Sequence, residues 1–185
     1  MNRMLKSCAV VALVAFLLPH PARAVDNPLK SARVGEWVEF VTTSSSKGAS
    51  MEMKMKQTVV AKDDTSVTLR TVTTMMGKEQ PPQDLKIMLD KPYRPYAQGL
   101  PDAMVTNLGD GNETITVGGK SYSCHWAKVR IVATKPAAIE STTKVWSSKD
   151  VPVNGLVKME TESVMTVGGN TMNTTMTMQI TGSGK

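Results

Sequence analysis

The sequence predicts an all-β fold, an antiparallel meander curled into a half-barrel or barrel with a proline-rich loop near one opening. Three observations carry this. Threonine and valine abound, with 21 threonines after residue 24, and both are β-branched residues that suit a pleated surface better than a helix. Period-two alternation recurs, most plainly in Met51-Glu52-Met53-Lys54-Met55-Lys56, where thioether and charge point to opposite sides. Glycine-bearing turns separate runs whose apolar faces coincide when the runs fold back on each other.

The first residues read as an export signal, outside the fold. Arg3 and Lys6 precede an apolar run from Cys8 to Leu18, and Pro19-His20-Pro21 ends it. Ala22-Arg23-Ala24 supplies the small residues that a signal peptidase reads. The apolar run of 11 residues is shorter than the roughly 20 needed to span a bilayer. Cys8 precedes that run, whereas a lipid-attachment cysteine follows it. The expectation is a signal peptide over 1–24 and a single β domain over 25–185. The protein would be exported to the periplasm or the extracellular space, and its composition has a bacterial look. No later stretch is apolar enough to form a transmembrane segment.

Removing the signal takes three cations and no acids, so the formal charge falls from +6 to +3. The remaining cations are interspersed with acids and threonines, which gives no nucleic-acid footprint. One cysteine remains, Cys124, so no internal disulfide can form. The fold must hold by packing.

Strands are expected at 35–45, 49–62, 66–77, 84–90, 112–117, 120–134, 140–148, 155–167 and 170–182, with one short helical turn near 100–108. Gly168-Gly169 predicts a two-residue hairpin with Met165 opposite Met172 and Met159 opposite Met178. Gly118-Gly119 predicts a second, with Ile115 opposite Tyr122, and Lys47-Gly48 a third, with Phe40 opposite Met55. The stretch 79–111 holds five prolines, Pro81, Pro82, Pro92, Pro95 and Pro101. Proline removes ladder donors, so this stretch reads as an edge strand and a long loop. Tyr93, Arg94 and Tyr96 are its most conspicuous side chains and the candidate loop or lid contacts.

Catalytic chemistry is sparse, and the expectation is a non-enzyme that needs no cofactor. His125 is the one histidine after residue 24, and its neighbour Cys124 should point to the opposite face of a strand. The two side chains are therefore poorly placed to act as nucleophile and base. No H-E-x-x-H, phosphate-cradling glycine loop or C-x-x-C occurs. Asp110-Gly111-Asn112-Glu113 is only a fragment of a calcium loop and reads as a polar turn.

Twelve methionines after residue 24 are the unusual feature. Unbranched, polarizable side chains fill a sheet interior, and a methionine-lined cavity adapts to variable apolar ligands. The leading expectation is therefore a lipid or other apolar small molecule held in a cavity lined by Met53, Met55, Met165, Met172 and Trp146. An envelope module with a filled core is one alternative. Another is Cu(I), for which thioether sulfur is a soft ligand, bound by Met51, Met53, Met55 and His125.

The layout also carries a resemblance. An early Trp37-Val38-Glu39-Phe40 strand leads into a long meander and a central proline-rich loop, followed by the segment from Lys144 through Trp146, Val151-Pro152-Val153-Asn154-Gly155 to Lys158. This resembles bacterial secreted proteins of uncharacterised families whose fold is similar to the lipoprotein carriers LolA and LolB. The resemblance implies an unclosed β-barrel, a lid and carriage of acyl chains. The carriers' lids are helical, whereas the candidate lid here is proline-rich. On its own residues, the 146–158 segment reads as turn chemistry between two strands, with Trp146 packed in the core or lining the cavity.

Overall fold

The computed structural model describes residues 27–97, 100, 102–135, 137–167 and 169–185. The proposed signal peptide lies outside the described residues. Ten strands make one antiparallel sheet: β1 Trp37–Ser46, β2 Ala49–Lys62, β3 Ser66–Met75, β4 Lys78–Glu79, β5 Gln83–Met88, β6 Met104–Val117, β7 Lys120–Ala133, β8 Ala138–Ser147, β9 Leu156–Val167 and β10 Asn170–Gly184. Their order is β4-β3-β2-β1-β10-β9-β8-β7-β6, with β5 also paired to β3. The sheet curls without closing. Among the described residues no helix is long and apolar enough to cross a membrane.

The topology is a meander broken between β5 and β6. The first and last strands pair in the middle of the sheet, with Phe40 opposite Ile180. β5 and β6 therefore stand at opposite edges although they are consecutive in the chain. The connection 89–103 joins those edges; its first amide, Leu89, still donates to the Thr65 carbonyl at 2.8 Å, and proline suits the stretch after it because proline has no ladder donor. The connection is fastened at both ends. Asn27 Nδ2 donates to the Lys91 carbonyl at 2.9 Å, and the Asp102 carboxylate accepts from the Thr134 amide at 3.1 Å and from the Thr134 hydroxyl. Tyr93 and Tyr96 pack against the core and Arg94 is exposed.

The hairpin registers follow the turn chemistry. Met165 faces Met172, Met159 faces Met178, Ile115 faces Tyr122 and Phe40 faces Met55. Gly118 and Gly119 have φ of 56° and 79°, the doubly left-handed pair that such a turn requires.

Three expectations need correction. β6 begins at Met104 rather than at 112, so the long loop ends eight residues earlier, and the expected turn at 100–108 shrinks to the bond from the Ala103 amide to the Leu100 carbonyl at 3.3 Å. Gly109, Gly111 and the Asn107–Gly109 bulge break the alternation that would have marked this half of the strand. The expected strand 66–77 stops at Met75, where Met76 and Gly77 adopt φ of 52° and 75° and turn the chain into β4. β10 runs on to Gly184, because Trp37 lies over Gly182 and Gly184 and holds them in the ladder with β1.

The core draws on both faces of the sheet, with Val117, Tyr122, Cys124 and Trp146 on one and a larger set on the other. Val38, Phe40, Val59, Val67, Leu69, Val157, Met159 and Ile180 are all buried, and Leu29 from the capped turn Pro28–Lys30 completes the packing. We call the face of this larger set the inner face.

Candidate functional site

Register assembles the methionines on the inner face. Met159 pairs with Met178, Met178 with Thr42, Thr42 with Met53, and Met53 with Met75. Four thioethers and one threonine thus form a transverse row across β9, β10, β1, β2 and β3. At a strand spacing of about 4.8 Å the row is roughly 19 Å long. Phe40, Met55 and Ile180 flank it on one side, while Ser44, Met51 and Met176 flank it on the other. Met53, Met55, Met75, Met176 and Met178 are only half-buried, unlike the fully packed Phe40 end. This face is apolar and adaptable, because a thioether chain has three rotatable bonds and little directional preference.

Beyond Met176 the inner face turns polar. Thr143 and Thr161 share a hydrogen bond of 3.0 Å. Next to them Ser141, Ser163 and Thr174 border an open depression of about 540 Å³, which Ser46, Lys47 and Glu162 also line. Met165 and Met172 pair with each other one row further on, on the same face. The inner surface therefore offers a thioether floor beside a hydroxyl-rich mouth.

Met53, Met55, Met165 and Met172 share one face; Trp146 is buried in the core cluster that Met55 packs against, as a core tryptophan, but its strand parity is that of the opposite face. Its neighbour Val145 pairs with Met159 on the inner face, while Trp146 pairs with Lys158 and Trp126 on the outer face. There its indole N–H donates to Glu113 Oε1. Lys144 Nζ also meets Glu113, at 2.9 Å, and sits 4.5 Å from the ring centres of both Trp126 and Trp146. The Trp126 ring lies over Gly111, where an added Cβ would meet Nε1 at 3.0 Å. A matching group stands on the first strands, where Lys56 caps Trp37 at 4.3 Å over Gly182 and Gly184. In both, tryptophan covers the neighbouring strand's bare glycines and lysine covers tryptophan, a clamp that pins register.

Met51, Met53 and Met55 share the inner face, but the structure does not gather them with His125. Met51 is exposed, and His125 lies on β7, five strands from β2, with Nε2 3.4 Å from Asp110. Cys124 is buried. Burial, then the charges of Glu113 and Asp150, push its thiol pKa up, which keeps it protonated and unreactive.

Four exposed carboxylates titrate below their ordinary range. The hydroxyl and amide of Thr65 and Ser66 hold Asp63 down, Arg70 does so for Asp84, Thr134 for Asp102, and Lys144 and Trp146 for Glu113. A depressed folded pKa contributes stability that is complete above the unfolded value, near pH 4, and is lost as pH falls through the folded one. The urea midpoint is expected to be flat from about pH 7 to pH 5 and to drop below about pH 4. A midpoint that rises on acidification would contradict this.

The residue that sequence reasoning missed is Thr42. It looks like an ordinary strand threonine, and only the register places it between Met53 and Met178. Comparison of the chain with protein-family models, curated proteins and solved structures finds no match.

Proposed function

We propose that this is an exported, non-catalytic envelope protein that binds an apolar-chained, lipid-like ligand on its inner face. The row Met159–Met178–Thr42–Met53–Met75 carries the reading. A row of thioethers, half-buried at Met53, Met75 and Met178 and buried at Met159, is a surface able to repack around chains of different shape. A filled structural core would instead look like the Phe40 end, where side chains exclude water completely. The hydroxyl-rich mouth beside the strip suits the polar end of an amphiphile, and Tyr93 and Tyr96 pack against the core from which the strip extends.

Titration with a fluorescent fatty acid tests this. Saturable one-to-one binding is expected for the mature protein. Met178→Glu places a carboxylate in the strip and should weaken binding at least tenfold, since an unpaired charge is costly among apolar groups. A second variant, Met104→Glu, alters a methionine 69% exposed on β6 and should bind as the parent does. Absence of saturable binding by the parent would refute the proposal.

A further inference from the structure

Thr42 is 97% buried, with a relative exposure of 3%, and its Oγ1 has no hydrogen-bond partner among the described residues. Inner-face hydroxyls nearby are satisfied: Thr143 and Thr161 bond each other, and Ser163 donates to the Thr174 carbonyl at 3.4 Å. An orphaned buried hydroxyl is destabilising, and valine of the same shape would avoid that cost. The position is also singular. Thr42 sits at the centre of the thioether row, two methionines to each side.

We propose that Thr42 is the polar anchor of the methionine strip and that the bound ligand is an acyl ester, its carbonyl oxygen over Thr42 and an apolar arm running along each half of the row. This rests on the apolar-binding reading above and specifies it. The Thr42 hydroxyl donates to the ester carbonyl. A neutral carbonyl suits the site better than a carboxylate or ammonium, because an ion placed among thioethers loses its hydration with nothing to replace it. The side chains of Met53 and Met178, the direct neighbours of Thr42, swing aside to admit the ester; their flexibility makes a preformed opening unnecessary.

The test compares octyl octanoate with heptadecane, which has the same number of chain atoms and no oxygen, each competing against a fluorescent fatty acid. The parent should prefer the ester by about 3–10-fold, the size of one net hydrogen bond. Thr42→Val should bind both equally, with affinity for the alkane kept. Thr42→Ser, which retains the donor, should keep the preference. Equal binding by the parent, or a preference that survives in Thr42→Val, overturns the anchor and leaves the apolar strip standing. Failure of both compounds to displace a fatty acid that does bind overturns the ester proposal alone, whereas failure of the parent to bind the fatty acid overturns both readings. Thr42→Val is expected to fold at least as well as the parent, since it removes an unsatisfied group.

Discussion

Phe40→Ala is expected to destabilise the fold by about 3 kcal/mol, the low end of the range for a buried phenylalanine. Among the described residues Phe40 is the largest fully buried side chain, and it is 1% exposed. It lies at the centre of the sheet, between Ile180 on β10 and Met55 on β2. That seam joins the first strand to the last, so a cavity there weakens the contact that unites the two halves of the meander. The low end is chosen because Met55 and Met178 pack beside this core and are flexible. Their side chains can swing partly into the space a ring leaves, which recovers some lost contact. For a domain of this size the loss corresponds to a fall in Tm of about 6–12 °C. Urea denaturation of the parent and the variant measures it. A cost under about 1.5 kcal/mol would mean that the methionines refill the cavity almost completely. A cost above 5 kcal/mol would mean that they behave as a rigid core. The same experiment thus reports on the plasticity that ligand binding on this face requires.

Most of the fold was legible because its information is local. Two-residue turns and period-two alternation together determine which side chains meet across a hairpin. Met165 opposite Met172 and Phe40 opposite Met55 therefore follow from the sequence alone. The pairing of β1 with β10 is different. It joins residues far apart in the chain, and no turn announces it. Without it the two groups of methionines, on β2 and on β9 and β10, remain separate lists. With it they become one row, and Thr42 acquires its place at the centre. β6 was half hidden for a physical reason: Gly109 and Gly111 leave room for the Trp126 ring, and residues chosen for that contact break the apolar pattern. Trp146 was legible as buried but not as belonging to the outer face. Parity within a strand assigns sides only relative to its neighbours, so Trp146 is a core tryptophan as expected, yet on the other side of the sheet from Met159, with Glu113 and Lys144 at its indole.

The connection between β8 and β9 carries the other large expected effect. Asn154→Ala should cost about 2–4 kcal/mol, the sum of two buried polar groups left without partners. Asn154 is 5% exposed. Its Nδ2 donates to Gln57 Oε1 at 3.0 Å, and its Oδ1 accepts from the Leu156 amide at 3.0 Å. The first bond reaches 97 residues back to β2, and the second starts β9. Around it the backbone is tight. The Asn154 amide donates to the Pro152 carbonyl at 2.9 Å across Val153, whose φ is 68°. A β-branched residue rarely holds that conformation, and the surroundings must enforce it. Val151 and Val153 are buried, and at Gly155, with φ of 71°, a Cβ would be strained and would crowd the Ser148 carbonyl at 3.3 Å. Asparagine is therefore the fastening that keeps a strained turn folded into the core. The turn residues of this segment were readable as turn residues, but the strain at Val153 was not, because valine is the last residue one would place there. A double-mutant cycle separates the anchor from general loop packing. In a Gln57→Ala background the Asn154→Ala cost should fall by about 1 kcal/mol, since one of the two bonds is already gone. An unchanged cost in that background would show that Asn154 acts only through Leu156, and that the link to β2 does not hold the loop.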